Sequence, residues 1–245
     1  MTQPATLIKN FPNGQRALAI RVDQDTDPAT VIKALNLPQC RRLLMLSGGA
    51  NHMAAEKMAL LQNLFAAIGR MVVKLGVTVI DGGTEAGVMK LMGEALGRAG
   101  RTITPHIGVL PAHATVAADG TKAEDILDPN HSNFVLVEGD AWGSEVKQMY
   151  QLADYFSRQA PSIALLVNGG EIALEEVELN IRQGREIVVL VGSGRLADDI
   201  AQTLHHPARA SSERVKNAAQ AGQFILFNLE DSPDKLIALV ESKLL

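Results

Sequence analysis

Short apolar runs recur along the chain, separated by longer stretches of helical periodicity. The runs are Ala17–Val22, Leu43–Leu46, Val77–Ile80, Ile107–Leu110, Phe134–Val137, Ile163–Val167, Ile187–Val191 and Phe224–Phe227. Each is too short for a globular helix. Most are unbroken rather than alternating, as strands buried on both faces are. Between them the spacing predicts helices over Ala54–Leu75, Ala86–Ala99, Ser144–Arg158, Ile172–Gln183, Arg195–Leu204 and Pro233–Leu244. Strand–helix alternation with glycine-bearing turns predicts an α/β fold, in which a mostly parallel sheet of about six to eight strands is covered on both faces. No composition break divides the chain, so one domain over residues 1–245 is expected. Residues 1–30 and 112–132 are polar and rich in turn formers. They read as a lead-in, irregular over about residues 1–15, and an excursion loop.

The first long helix carries Met58, Leu60, Leu61, Leu64, Phe65, Ile68, Met71, Val72 and Val73. That apolar arc is wider than the stripe of roughly 100° needed to pack on one sheet face. A homo-oligomer, most simply a two-fold dimer, is therefore expected; the alternative is a helix buried deeply in one subunit.

Composition narrows the partners. With 47% hydrophobic residues in 245, the chain can bury a large core, which excludes a disordered protein. The net charge of −4 provides no basic field for a phosphate backbone, so no nucleic-acid partner is expected. Cys40 is the single cysteine, which leaves no disulfide framework and no thiolate zinc site and fits a reducing compartment. No charged segment leading into an apolar stretch marks a signal peptide, and no run of about 18 uncharged apolar residues occurs. A cytoplasmic protein without a membrane partner is the expectation.

The glycines gather just after predicted strands. They stand at Gly48-Gly49, Gly82-Gly83, Gly169-Gly170 and Gly192-Ser193-Gly194. In a parallel sheet these turns share the carboxyl edge, where ligands enter. Each precedes a predicted helix, whose first N–H groups and dipole favour an anion. A phosphate is expected between the Gly82-Gly83-Thr84 and Gly169-Gly170 turns, flanked by the other two. The plainer alternative is that the glycines serve tight turns alone. Gly82 and Gly87 have the spacing of an NTPase phosphate loop, but Val88 stands where its lysine belongs, which excludes that motif. Gly192-Ser193-Gly194-Arg195-Leu196-Ala197 fits a dinucleotide fingerprint, yet lies late in the chain and lacks the acidic strand end that ribose recognition uses.

The segment Asp81-Gly82-Gly83-Thr84-Glu85-Ala86-Gly87-Val88-Met89 resembles the glycine turn of the SLOG superfamily. Four more stretches follow in the same order: Ile107–Pro111, His131–Val137, Gly143–Val146 and Val189–Asp198. The resemblance runs from about Arg42 to Ala201. It lies nearer to the amino-terminal domain of melastatin-type TRP channels, through its stand-alone prokaryotic relatives, than to the lysine-decarboxylase-like phosphoribohydrolases. It implies a Rossmann-like three-layer sandwich and a nucleotide-derived ligand, such as ADP-ribose or an NAD-related molecule. It also places Gly87 and Pro111 beside that ligand.

The phosphoribohydrolase motif of this superfamily falls on Asn168, Gly169, Gly170, Glu171, Ile172, Ala173, Leu174, Glu175 and Glu176. The paired glycines and Glu176 are kept. Asn168 replaces a proline, and Ile172 and Ala173 replace a Gly-Thr pair. The family's catalytic arginine has no clear match; Lys147 and Arg158 are the nearest basic residues.

Three function classes remain: a ligand-binding or sensing domain, an N-glycosidic hydrolase, and a structural module that lost its ligand. The altered Asn168–Glu176 segment favours binding over hydrolysis. Glu176 is the catalytic candidate, and it could instead cap its helix or hold a ribose hydroxyl, as could Glu175. Thr84 reads as a phosphate donor or an N-cap, and Arg195 as a phosphate partner or a solvated first-turn residue. Trp142 could stack on a base or plug the core. The six histidines show no metal-ligand spacing, and no G-x-S-x-G elbow occurs, so neither a metal, a cofactor nor serine-hydrolase chemistry is expected.

Overall fold

The computed structural model describes residues 6–49, 55–100, 104–115 and 126–245. Nine strands form one sheet: β1 Thr6–Asn10, β2 Arg16–Val22, β3 Leu43–Gly48, β4 Thr78–Asp81, β5 His106–Pro111, β6 Asn133–Val137, β7 Ser162–Val167, β8 Ile187–Val191 and β9 Phe224–Asn228. The helices are α1 Pro28–Ala34, α2 Ala55–Leu75, α3 Gly87–Arg98, α4 Val146–Ser157, α5 Glu171–Arg182, α6 Arg195–His205, α7 Glu213–Ala221 and α8 Pro233–Leu244. The sheet order is β1-β2-β6-β5-β4-β3-β7-β8-β9, and every pairing except β1–β2 is parallel.

Strand residues alternate between two cores. Leu44, Leu46, Val79, Ile163, Leu165, Val188 and Leu190 pack under α2, α3 and α8. Leu43, Met45, Ile80, Ile107, Val109, Ala164, Leu166 and Ile187 pack under α4, α5, α6 and α7 on the other face. Apolar burial on both faces explains why these strands read as unbroken runs. The result is the expected Rossmann-like sandwich.

The chain winds outward from β3 through β4, β5 and β6, then returns to lay β7 against the other side of β3. The winding direction reverses there, so the crevice above the carboxyl ends of β3, β4 and β7 is a topological switch point. Gly48 ends β3, and Gly83, Gly170 and Gly194 follow β4, β7 and β8; these are four adjacent parallel strands. All four therefore lie at one edge.

Three elements depart from the sequence reading. The ninth strand, β1, lies within the stretch read as irregular; it is an exposed edge strand held only by its hairpin with β2. Helix α1 begins at Asp27, whose side chain caps Ala29 ahead of Pro28, a start signal in a segment read as loop. Helix α7 starts at Ser212, which accepts from the Val215 N–H. Ala54, where the first long helix was expected to begin, and much of the 112–132 excursion lie outside the described residues.

Helix α2 is the one described helix long and apolar enough to span a bilayer, yet it packs into the core between α3 and α8. Leu61, Leu64, Phe65, Ile68, Met71 and Val72 are buried, while Met58, Leu60 and Val73 are half-buried against the same cluster. The wide apolar arc is thus taken up within one chain, by neighbours on both sides of the helix.

Candidate functional site

A cavity of about 500 Å³ opens at the switch point. From β3 it is lined by Leu46, Gly48 and Gly49, and from the β4 turn by Gly82 and Thr84. Gly169 and Gly170 follow β7 and continue into the first two turns of α5, where Glu171, Ile172, Ala173 and Glu176 line it. Met89, Trp142, Glu145 and Arg195 complete the wall. The N–H groups that open α5 have no intrahelical acceptors, and their dipole end points into this space.

Of the residues singled out from sequence, Gly48, Gly49, Gly82, Thr84, Gly169, Gly170, Glu176 and Arg195 line the cavity; Gly83, Gly87, Pro111, Glu175, Gly192, Ser193 and Gly194 do not. Glu175 is exposed, while Glu176, one position further around α5, turns inward. Pro111 is buried at the end of β5. Gly83 is packed against the next strand: a Cβ there would lie 2.8 Å from the Gly108 Cα, and φ is +67°.

The fourth glycine turn is occupied by the protein itself. Asn168, at φ +57°, donates from Nδ2 to the Ser193 carbonyl at 2.9 Å, and its own N–H donates to Ser193 Oγ at 2.8 Å. The first N–H groups of α6 are also taken: Ala197 donates to the Asn168 carbonyl at 3.0 Å and Leu196 to that of Gly169 at 3.5 Å. The Gly192 N–H donates to Asp198. Asn168, which stands where the hydrolase motif has proline, thus latches the β7 turn to the β8 turn. What this turn offers the cavity is Arg195, whose guanidinium lies over Gly170, with Nη2 2.6 Å from where a Cβ would be. Lys147 pairs with Asp25 and Arg158 with Asp154, and neither lines the cavity.

Glu176 ends a buried polar chain. Arg185 donates to Asn180 Oδ1 at 2.6 Å, and Asn180 Nδ2 donates to the Tyr150 hydroxyl at 2.8 Å. The Tyr150 and Ser47 hydroxyls lie 3.3 Å apart, and the Ser47 hydroxyl is close enough to the Glu176 carboxyl to favour its ionised form. With Tyr150 accepting from Asn180, its own proton is directed toward Ser47. Burial pushes the Glu176 pKa up to about 8, and the nearby charges of Glu145, Asp81 and Glu175 act the same way against the Ser47 hydroxyl. Burial also raises Glu145, which accepts from the Gly143 N–H at 2.8 Å. At neutral pH, Glu176 therefore carries a proton in a cavity next to other carboxyls.

Beneath the β4 turn lies a second buried group. Asp81 accepts from the Gly83 N–H at 2.8 Å and bonds to His106 Nε2 and His131 Nε2, each at 2.8 Å. His131 Nδ1 bonds to Asp128 at 2.7 Å. Spanning two carboxylates, the His131 ring is held as an imidazolium. Asp81, His106 and His131 bring ligand-type atoms within 4.8 Å of one another, a grouping that linear spacing does not show. Distances of 2.7–2.8 Å between nitrogen and oxygen are those of charge-assisted hydrogen bonds, and the group is bonded as such. Asp81 and His131 appear in the sequence as parts of two separate motifs. Only the fold shows them to be in contact.

The chain is 28% identical over 230 residues to mouse transient receptor potential cation channel subfamily M member 2, covering 77% of this chain and 15% of the channel. It is 25% identical over 233 residues to human subfamily M member 7, covering 78% of this chain and 12% of the channel. The chain thus spans a small fraction of the length of these relatives. Residues 41–238 match the family described as SLOG in TRPM, prokaryote, and the chain belongs to that family.

Proposed function

We propose that this protein binds or senses a nucleotide-derived ligand of the ADP-ribose or NAD-related kind in the switch-point cavity. The observation that carries the reading is the convergence there of the Gly82 turn, the opening turn of α5 and the Arg195 guanidinium. Bare backbone, a helix N-terminus and one fork-shaped cation suit a phosphate that no lysine among the described residues serves. Gly82 provides the test. Nothing lies within 4 Å of its Cβ position, so valine there points into open space. Gly82→Val should weaken ADP-ribose or NAD binding at least tenfold, about 1.4 kcal/mol, in a protein that still folds. Calorimetry showing parent-like affinity in the folded variant would sink this placement.

A second reading, hydrolysis of the ligand's N-glycosidic bond, is supported by one observation. Glu176 is buried in the cavity with a pKa near the working range of a general acid or base. Against it, Ala173 stands where the hydrolases have threonine, and Arg195 is the only basic side chain lining the cavity among the described residues. Chromatography of the calorimetry mixtures separates the two: intact ligand supports binding, while breakdown that Glu176→Gln abolishes supports the enzyme.

A further inference from the structure

The cavity is lined by charges of both signs. Arg195, the one cation among its described lining residues, lies over Gly170. Glu145 and Glu176, 5% and 8% exposed, and the half-exposed Trp142 line the same space. Glu171, also at the rim, is already paired outward with Arg214 at 3.0 Å. Two buried carboxyls facing a ligand cavity favour an occupant that brings positive charge, and an indole beside them favours a flat cation.

We propose that these two carboxyls and Trp142 take the cationic end of the ligand, so that the site selects a phosphorylated N-ribosylpyridinium over the same nucleotide with an uncharged ring. This rests on the nucleotide reading of the same cavity. The phosphate goes to the N–H groups and Arg195, and the pyridinium to the carboxyls.

A pH signature follows. The groups whose charge or hydrogen bonding acts on Glu176 are Ser47 from β3, Asp81 from β4, Tyr150 from α4, Glu145 ahead of α4 and its outward-turned neighbour Glu175, with His113 acting on Glu145. None of these places a cation against it, and Arg185 reaches it only through Asn180 and Tyr150. A pyridinium favours the ionised carboxylate, so binding it expels the Glu176 proton. Affinity for the cationic ring therefore rises as pH climbs through about 8, the Glu176 pKa in the empty site. The neutral ring gains nothing from that ionisation.

The test is calorimetry of the full chain with NAD+, NADH and ADP-ribose at pH 6.5 and pH 8.5. NAD+ and NADH share their phosphates and riboses and differ in the charge of one ring. The expected result is NAD+ binding at least tenfold tighter than NADH at pH 8.5, with a smaller preference at pH 6.5. Glu145→Gln combined with Glu176→Gln should erase the preference, and the pH comparison on the unaltered protein stands whether or not that variant folds. NADH binding as tightly as NAD+ at pH 8.5, or a preference that does not grow with pH, overturns the proposal while leaving the nucleotide reading intact. Failure of all three ligands to bind overturns both.

Discussion

His131→Ala is expected to lower folding stability by about 3–5 kcal/mol, because it removes the shared cation from two buried carboxylates. Asp81 and Asp128 bond to the two nitrogens of the ring, and all three side chains are shut off from solvent. Asp81 also anchors the Gly83 N–H, so the β4 turn loosens with the loss. Urea unfolding of parent and variant at pH 7 measures the difference. A loss below about 1 kcal/mol, the size of an ordinary substitution, would show that the ring carries no such role. The same group sets an alkaline limit. Burial opposes its charge, but Asp81 and the bonds to both carboxylates push the pKa from 6.5 to about 9. A raised folded-state value means that the contribution is complete below pH 6.5 and disappears as pH rises through 9. Stability should fall over that window in the parent and much less in His131→Ala.

Gly83→Val is expected to cost roughly 2–6 kcal/mol, the sum of left-handed backbone strain and overpacking. Gly83 sits at φ +67°, and its Cβ would meet the backbone of Gly108 at 2.8 Å and the Phe134 ring at 3.2 Å. Backbone on one side and a packed aromatic on the other leave no cheap way to yield. From sequence alone, Gly83 reads as the position where a ligand needs bare backbone. In the structure it is β5 that needs it, and the neighbouring Gly82 faces the cavity. Adjacent glycines should therefore separate: Gly83→Val loses stability, whereas Gly82→Val loses affinity. Equal unfolding midpoints for parent and Gly83→Val would overturn this assignment.

Much of the architecture is written in local signals. Unbroken apolar runs mark β3 to β8 because burial on both faces removes polar positions from a strand. Period-3.6 stripes mark the helices that cover them, and a run of parallel strands puts the glycine turns at one edge whatever their order. Elements held by context escape such signals. Strand β1 is short and exposed and exists through its pairing with β2, while α1 and α7 are short helices whose capping residues, Asp27 and Ser212, resemble ordinary loop residues.

The site divides the same way. Glycine turns, Glu176 and Arg195 are visible as residue types at strand ends, since backbone freedom and charge belong to the residue itself. Which of them meet is a matter of three-dimensional packing. Glu175 and Glu176 differ by one step around α5, and only the seating of that helix turns one outward and the other into the cavity. The N–H groups opening α6 look available in sequence but are consumed by the Asn168 and Gly169 carbonyls 29 and 27 residues earlier (197 − 168 and 196 − 169). His131 bonds to an aspartate 50 residues away. Periodicity and turn chemistry act over a few neighbours and can be read along the chain. Burial, hydrogen-bond partners and the pKa of a buried acid depend on what the fold brings from elsewhere, and so they were decided only when the sheet closed around β3 and β7.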